Sequence, residues 1–248
     1  LTEAVCCVAR EAGHFLKEER KSFRREVVQE KHAHDYVSYV DKASEKKVVS
    51  ALRKLLPEAG FIAEEGSAAY SDETYCWVVD PLDGTTNYIH DNAPYCVSIA
   101  LRDKQSLLLG VVYEPCRDEC FYAWKGGGAY VNGERLRVSL VSEPKDAFVV
   151  TELPYNFEQY ARTGEHLIHE LYGKVAGIRM NGSAALALCY VAAGRFDAWL
   201  EAFIGKWDFS AAALMVLEAG GKGTDFLGNE NFIEGHHIIA TNGPLHPL

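Results

Sequence analysis

Two aspartates close together in the sequence are the side chains best suited to chemistry. Asp80 and Asp83 lie in the run WVVDPLDGTTN at 77–87, where a proline and a glycine force a tight turn after an apolar strand. No Lys or Arg in this run neutralises them, and carboxylates this close repel each other unless a proton or a cation lies between them. We therefore predict that the pair binds a hard cation such as Mg²⁺, with the Leu82 carbonyl oxygen as a further ligand.

The residues after the turn are suited to binding phosphate. Gly84, Thr85 and Thr86 offer successive backbone N–H groups and two hydroxyls, and a short helix can begin behind them. Backbone amides arranged in this way bind phosphate oxygens, and a neighbouring cation would offset the remaining charge of a phosphate dianion. The sequence therefore predicts a phosphate site built against a metal site.

Each acidic residue also has an ordinary structural role when it is considered alone. Asp83 could close an Asx turn and cap the segment after it, although that role leaves Asp80 beside it unexplained. Asp208 stands at a predicted helix start, where an N-cap is commoner than a metal ligand. Glu64, after a short apolar segment, would alone be a solvated loop acid. The Asp80–Asp83 pair is therefore the residue-level evidence for a metal site.

The composition of the chain narrows the classes of protein that it can be. Its 248 residues are 48% hydrophobic and 24% charged, which indicates a soluble globular protein with one large domain or two closely packed halves. The formal net charge of −10 argues against nucleic acid and against an anionic membrane as the main partner. No apolar run approaches the roughly 20 residues that span a bilayer. Seven cysteines without a C-x-x-C pair fit a reduced, cytoplasmic setting.

Apolar periodicity in the first part of the chain predicts two helices and then antiparallel strands. Asp41 is the expected cap of the second helix, which Pro57 ends. The polar stretch 31–35, with His32 and His34, has no periodicity and is interpreted as a solvated loop rather than a metal site. The predicted elements are helices at 5–16 and 41–56, strands at 61–63 and 76–79, a meander over 95–122 and a hairpin turn at 126–128.

Strands and helices alternate in the second part of the chain. Gly194 ends an Ala-rich helix, and Gly220 and Gly221 end the helix that Asp208 opens. The predicted elements are strands at 148–150 and 196–201 and helices at 157–172, 183–193 and 208–219. Because no linker or repeat separates the two parts, we predict a single domain over 1–248. Its metal-binding half, 1–145, carries the meander, and its substrate half, 146–248, is α/β.

Four groups of residues, in this order and spacing, resemble the signatures of the inositol monophosphatase family. The groups are Glu64-Glu65-Gly66, the run DPLDGTTNY at 80–88, Gly182-Ser183-Ala184, and Trp207-Asp208 with EAGG at 218–221. The Asp-Pro-Leu-Asp-Gly-Thr run is highly specific for the family. The other groups are weak evidence singly and strong evidence in this order and spacing. The resemblance implies an αβαβα sandwich of the inositol monophosphatase and fructose-1,6-bisphosphatase type, often a homodimer. It also implies Mg²⁺-dependent, lithium-sensitive hydrolysis of small phosphomonoesters.

The same resemblance implies a set of metal ligands. Glu64, Asp80 and the Leu82 carbonyl would hold a first Mg²⁺ ion. Asp80, Asp83 and Asp208 would hold a second, so that Asp80 bridges the two ions. Glu64 is also the expected ligand of a third, weaker ion.

The resemblance further implies which residues act on the substrate. The catalytic group would be Glu64, Thr85 and Asp41, with the Thr85 hydroxyl oriented by Asp41 so that it lines up a metal-bound water. Glu201 is suited to accepting hydrogen bonds from the hydroxyls of a sugar or an inositol. The expected substrate contacts are Asp83, Gly84, Thr85, Gly182, Ser183, Ala184 and Glu201.

These expectations describe a phosphomonoesterase that acts on a small sugar- or inositol-type monophosphate, with myo-inositol 1-phosphate as the favoured substrate. The acidic ligands would repel a phosphate dianion, so metal binding must come first. A metal-activated water then attacks in line, and no covalent enzyme intermediate is required. The expected partner is this small substrate, without nucleic acid or membrane.

Several alternatives stay open at this level. Phosphatases for 3′-phosphoadenosine nucleotides or for fructose 1,6-bisphosphate use a similar scaffold. The nucleotide branch commonly carries Lys-Glu where this chain has Thr86-Asn87, which favours the inositol branch. Histidinol phosphate and NADP are further candidate substrates, because a few loop contacts decide the choice. From a different class, the chain could be a catalytically silent metal-binding homologue, although the expected ligands and Thr85 are all in place.

Overall fold

The structure is a computed structural model that describes residues 1–32, 35–69, 72–153 and 157–247. Its described part has helices and strands that alternate in layers, and none of the described helices has both the length and the apolar character needed to span a bilayer. The α-helices are α1 (Thr2–Arg20), α2 (Tyr39–Leu55), α3 (Thr85–Ile89), α4 (Phe157–Leu171), α5 (Ala184–Ala192) and α6 (Lys206–Glu218). The β-strands are β1 (Gln29–His32), β2 (Asp35–Val37), β3 (Gly60–Ala63), β4 (Cys76–Asp83), β5 (Cys96–Arg102), β6 (Leu107–Glu114), β7 (Glu119–Trp124), β8 (Gly128–Val131), β9 (Glu134–Arg135), β10 (Phe148–Thr151), β11 (Gly177–Arg179), β12 (Ala198–Ala202), β13 (Lys222–Thr224) and β14 (His237–Thr241).

The described strands form two large sheets and one short hairpin. The first sheet runs in chain order from β3 to β9, with β3 parallel to β4 and every later neighbour antiparallel. The second sheet has the order β11-β10-β12-β14-β13 and mixes parallel and antiparallel pairs. Strands β1 and β2 pair with each other. The predicted meander over 95–122 is therefore present and is continued by a hairpin at 126–128.

The helices complete an αβαβα sandwich. Helices α1 and α2 pack together on the outer face of the first sheet, and α5 and α6 lie between the two sheets. Helix α4 contacts β12 of the second sheet. This layering explains the two kinds of helix in the sequence, because an outer helix buries one stripe whereas a helix between two sheets is covered on all sides. Every residue of α5 is buried, whereas α1 buries the stripe Val5, Ala9, Ala12, Gly13 and Leu16.

Two helix starts differ from the sequence-based predictions, and for the same reason. Asp41 does not cap α2, because Ser38 is the cap and Asp41 lies at the third helical position, where its carboxylate accepts the Ser38 backbone N–H at 2.8 Å. Asp208 likewise does not open α6 as its cap. Gly205 is the cap, and Asp208 Oδ2 accepts its N–H at 2.9 Å. Both helices therefore begin earlier than predicted, and in both an inward-facing aspartate satisfies the backbone of the cap residue.

Two strand predictions also need correction. The solvated loop predicted at 31–35 is wrong for the described residues, because β1 and β2 pair there through backbone hydrogen bonds that need no apolar alternation. His34 lies outside the described residues. Strand β4 does not stop at Asp80, because it continues to Asp83, which pairs with Cys96 of β5 after a break in register between Asp80 and Asp83. The irregular strand, rather than a turn beyond it, thus places the two aspartates near each other.

A close backbone approach fixes the spacing between the first sheet and α6. A Cβ atom on Gly110 of β6 would lie 2.3 Å from the carbonyl oxygen of Ala211 in α6 and 2.9 Å from its Cα. These distances are below any van der Waals contact, so only a glycine lets the strand and the helix meet here. Because α6 carries Asp208, this approach also sets the height of that carboxylate above the sheet.

We expect Gly110→Ala to lower the free energy of unfolding by about 1–3 kcal/mol, the usual effect of adding a methyl group to a packed core. Urea titration followed by far-UV circular dichroism measures this quantity. Gly235→Ala is the matched control, because it adds the same methyl group to an extended residue whose nearest neighbour would be the Phe232 carbonyl oxygen at 3.3 Å. An equal loss of stability in the two variants would contradict the close approach of β6 and α6.

Candidate active site

A cavity of about 440 Å³ lies where the ends of β4, β10 and β12 meet the N-termini of α5 and α6. Its walls come from segments far apart in the sequence. Asp41 lies behind the wall, in contact with Thr85. The sequence-predicted site residues that line the cavity are Glu64, Asp80, Leu82, Asp83, Gly84, Thr85, Gly182, Ser183, Ala184, Glu201 and Asp208.

Three aspartates form a compact cluster in one wall of the cavity. A carboxylate oxygen from each of Asp80, Asp83 and Asp208 lies within 4.8 Å of those of the other two. Asp80 and Asp83 are 1% and 7% exposed. Burial, and then the negative charges of Glu64, Asp83 and Asp208, hold the pKa of Asp80 well above its usual range. The cluster therefore disfavours its own full ionisation unless a cation compensates it.

Asp208 shows the same electrostatic conflict. Burial, and then the charges of Asp83 and Glu64, raise its pKa well above the usual range, while hydrogen bonds with the Asp80 carboxyl and the Gly205 backbone lower it. The bond from Gly205 also fixes one carboxylate oxygen at the start of α6. The helix start thus aims Asp208 into the cluster.

Asp83 is held by the start of α5. Its Oδ2 atom accepts hydrogen bonds from the Ser183 hydroxyl at 2.6 Å and from the Ala185 backbone N–H at 2.9 Å, and the Cys96 thiol lies 3.6 Å away. Burial raises the pKa of Asp83, and these hydrogen bonds partly offset the effect. With Oδ2 occupied in this way, Oδ1 is the oxygen that Asp83 presents to a cation.

Thr85 is oriented by two acceptors on the protein side. Its hydroxyl oxygen lies 3.0 Å from the Leu82 carbonyl oxygen and 3.2 Å from Asp41 Oδ1. Asp41 is 1% exposed, and burial raises its pKa while hydrogen bonds from Ser38 and Thr85 lower it. A threonine whose proton is directed toward such acceptors keeps its lone pairs available to a hydrogen-bond donor such as water.

Two glycines allow the phosphate-binding segment and the 181–182 loop to approach each other. Gly84 has φ +89°, and a Cβ atom there would lie 3.0 Å from the Pro94 carbonyl oxygen. Gly182 has φ +71°, and its Cβ would lie 2.8 Å from Asn87 Nδ2. The Asn87 amide donates to the carbonyl oxygens of Pro94 at 2.7 Å and Asn181 at 3.1 Å, and so joins α3 to the loop. Sequence reasoning used Asn87 only to compare family branches and missed this role.

Two more carboxylates, Glu201 and Glu152, line the cavity. Glu201 of β12 is 7% exposed, and its Oε2 atom has no hydrogen-bond partner among the described residues. Burial, and then the charges of Glu152, Asp208 and Asp83, raise the pKa of Glu201 well above its usual range. The unpartnered Oε2 atom of Glu201 is therefore available to a hydrogen-bonding group of a ligand in the cavity.

Glu152 is the site residue that sequence reasoning missed. It follows β10 directly, and its Oε1 atom accepts the backbone N–H groups of Asn181 and of Gly182, the latter at 2.7 Å. Burial raises the pKa of Glu152 to about 7, although the two amide bonds lower it. Asp80 was singled out because it directly follows the predicted strand 76–79, and the same signal, extended by one residue beyond the predicted strand 148–150, would have found Glu152 as well.

The cluster of three aspartates fits a hard divalent cation. Its side-chain donors are carboxylate oxygens, which Mg²⁺ prefers and which a thiolate-seeking metal does not. The repulsion among the carboxylates also favours a divalent cation, because a bound cation replaces mutual repulsion with attraction. Next to the cluster lie the Thr85 hydroxyl and the backbone of 84–86, which can receive the oxygens of a phosphate.

The chain is similar to known proteins along its whole length. Residues 1–248 match the model of the inositol monophosphatase family. Among curated proteins, it is 44% identical over 243 residues to "Nus factor SuhB" of Pseudomonas aeruginosa, covering 94% of this chain and 88% of that protein. It is 40% identical over 235 residues to "Nus factor SuhB" of Escherichia coli K12, with the same coverage of each chain.

Solved structures with the same fold are also similar in sequence. The extragenic suppressor protein SuhB from Bartonella henselae superposes with a TM-score of 0.91 at 37% identity, over 97% of this chain and 93% of that one. The inositol monophosphatase from Anabaena superposes with a TM-score of 0.88 at 34% identity, over 98% and 90% of the two chains.

The raised pKa values make the stability of the metal-free protein depend on pH. Because folded Asp80 and Asp208 bind protons more tightly than in the unfolded chain, their favourable contribution to stability is full below the pKa of an aspartate in the unfolded chain and is lost as pH rises through their folded pKa. We expect the free energy of unfolding in chelator to be lower at pH 8 than at pH 5 on this account. Asp80→Asn should reduce that fall and be more stable than wild type at pH 8.

Urea titrations with EDTA, and with excess Mg²⁺, measure both effects. Mg²⁺ should stabilise the wild type, by about 2.7 kcal/mol when its concentration is 100 times its dissociation constant, and should stabilise Asp80→Asn much less. Asp146→Asn, at an exposed position far along the chain, is the control and should behave as wild type. The same pH dependence and the same Mg²⁺ effect in wild type and Asp80→Asn would exclude the cation site.

Proposed function

Because the chain belongs to the inositol monophosphatase family, we propose that it hydrolyses the phosphomonoester of a small polyhydroxylated alcohol, with myo-inositol 1-phosphate as the favoured substrate. One observation carries the proposal: the carboxylates of Asp80, Asp83 and Asp208 converge within 4.8 Å beside the backbone of Gly84 and Thr85. This juxtaposition supplies what phosphate-ester hydrolysis needs, namely a cation site next to a site for the phosphate oxygens.

The acidic residues would hold Mg²⁺. Glu64, Asp80 and the Leu82 carbonyl are the proposed ligands of one ion, and Asp80, Asp83 and Asp208 those of another, with a third, weaker ion at Glu64. When bound, Mg²⁺ supplies Lewis acidity that lowers the pKa of a coordinated water and stabilises charge on the ester oxygens. The chain contributes the rigid placement of these oxygens through the hydrogen bonds that anchor each carboxylate.

Other residues act on water, phosphate and alcohol. The Thr85 hydroxyl, directed by Asp41 and the Leu82 carbonyl, accepts a hydrogen bond from the attacking water and so orients it in line with the leaving oxygen. The backbone amides at 84–86 donate to the phosphate oxygens. Glu201 accepts hydrogen bonds from the hydroxyls of the alcohol, and the segment 182–184 also lines the cavity. A homodimer, on the family resemblance, and a cytoplasmic setting, on the cysteine usage, complete the proposal.

A second candidate function comes from the name of the curated relatives. Proteins called Nus factor are 44% and 40% identical to this chain, which supports a role as a Nus factor, with or without turnover. The prediction that nucleic acid is not a partner rests on the net charge of −10 and stays a prediction. A phosphatase assay separates an active enzyme from a catalytically silent homologue.

We expect the wild-type protein with Mg²⁺ to release phosphate from myo-inositol 1-phosphate, and lithium to reduce the rate. Release from 3′-phosphoadenosine 5′-phosphate and from fructose 1,6-bisphosphate should be slower. Asp83→Asn removes a proposed ligand, so we expect turnover to fall by at least about 100-fold, the upper end of the effect of residues that merely orient a ligand. A colorimetric phosphate assay measures these rates, and circular dichroism verifies that the variant is folded.

Asp146→Asn is again the control for an aspartate outside the cavity and should keep wild-type turnover. Wild-type turnover in folded Asp83→Asn would refute the metal assignment. If the wild type released no phosphate from any of the three esters but was still stabilised by Mg²⁺, we would conclude that the protein is a catalytically silent metal-binding homologue.

A further inference from the structure

Two carboxylates outside the aspartate cluster also line the cavity, the half-buried Glu152 and the buried Glu201. Each lines the cavity, and the charge of Glu152 is the strongest charge effect on the pKa of Glu201 after burial. The two side chains come from the ends of neighbouring parallel strands, since Val150 of β10 pairs with Trp199 of β12. They form one acidic surface, which faces the alcohol part of a substrate whose phosphate lies at 84–86.

Glu201 has hydrogen-bonding capacity that the described protein leaves unused. Its side chain is 7% exposed, and its Oε2 atom has no partner among the described residues. A buried carboxylate oxygen without a donor is unfavourable, so its retention here indicates a ligand that brings the donor. The residue lines the cavity, which is where such a donor would arrive.

Glu152 is fixed in place with its charge toward the same space. Its Oε1 atom accepts two backbone N–H groups, from Asn181 and Gly182, which determines the position of the carboxylate. The same loop continues to Ser183, whose hydroxyl holds Asp83. Glu152 is therefore part of the wall rather than a mobile surface acid.

The described lining of this cavity contains no Lys and no Arg. Among the described residues that line it, His90 is the only basic side chain, and apolar contact comes from Leu153, Met180 and Ile204. Sites that bind a phosphate without metal normally use Arg or Lys for the purpose. An alcohol with a second phosphate would therefore bring that phosphate against two carboxylates without an Arg or Lys to bind it.

We propose that Glu152 is a specificity-determining residue, which with Glu201 admits alcohols that present hydrogen-bond donors and excludes alcohols that carry a second phosphate. This inference rests on the proposed function and narrows its substrate class to monophosphates of non-anionic alcohols. The donors are hydroxyl groups or an ammonium group, both of which carboxylates accept. Glu152 acts on the choice of substrate and not on the reacting phosphate.

The decisive variant is Glu152→Gln, assayed at pH 8, where the carboxylate is ionised. The glutamine carbonyl oxygen can keep both backbone hydrogen bonds while the negative charge is removed. For fructose 1,6-bisphosphate and 3′-phosphoadenosine 5′-phosphate, we expect KM relative to that of myo-inositol 1-phosphate to fall about tenfold, with kcat changed less, because like-charge repulsion is reduced. Glu201→Gln should shift the ratio in the same direction. Glu134→Gln, on exposed β9, is the matched control and should leave it unchanged.

Binding measurements separate this inference from the proposed function. In a Thr85→Ala background, which removes the water-orienting hydroxyl, calorimetry with Mg²⁺ gives the affinities of the same three esters without turnover. O-phosphoethanolamine, compared with glycerol 2-phosphate, shows whether ammonium or hydroxyl is the preferred donor. A tenfold shift toward the bisphosphates on adding Glu152→Gln supports the inference even if the wild type has no phosphatase activity.

Two results would overturn the inference while leaving the proposed function intact. One is an unchanged preference in Glu152→Gln and Glu201→Gln, each with the thermal midpoint of the wild type. The other is an equal loss for monophosphate and bisphosphate esters, which would make Glu152 a structural support of the 181–182 loop.

Discussion

Repulsion among buried carboxylates is the constraint on which this structure depends. Three aspartates lie within 4.8 Å of one another, with Glu64 adding its charge, and burial makes each of them harder to ionise. A folded chain tolerates such a cluster only if other interactions hold it together. Here backbone donors from Leu82, Ala185 and Gly205 bind one oxygen of each aspartate. With one oxygen of each aspartate bonded in this way, the carboxylates are held close together, and a cation is the natural counter-charge.

The layers of the fold bring these donors together. Helices α5 and α6 lie between the two sheets, and their first turns open at the ends of β4, β10 and β12. A helix start has unpaired N–H groups, which makes it a favourable place for an acidic side chain. All of α5 and the middle of α6, residues 209–216, are buried, so the polar N-termini of both helices have little freedom to move. The same two helices, α5 and α6, therefore contribute to the buried core and, at their N-termini, to the charged site.

The sequence predicted the layers and the central motif well, because both depend on local patterns. The Asp80–Asp83 pair stands out through its proline and glycine, and α5 through an unbroken apolar composition. The helix starts at Ser38 and Gly205 were missed because an aspartate three positions into a helix can be mistaken for the cap itself. Glu152 was missed because its partners, at 181 and 182, are about thirty residues away, and only the parallel pairing of β10 and β12 brings it beside Glu201.

Asp41 connects the first turn of α2 to Thr85, which lines the cavity. One of its oxygens closes the first turn of α2 and the other contacts Thr85. Immobilising Thr85 should therefore also favour the closed first turn of α2, and fraying of that turn would remove one of the two acceptors of the Thr85 hydroxyl. Amide hydrogen exchange at residues 38–42 should accordingly slow when the cavity is filled, so that the backbone of an outer helix reports on events in the centre of the molecule.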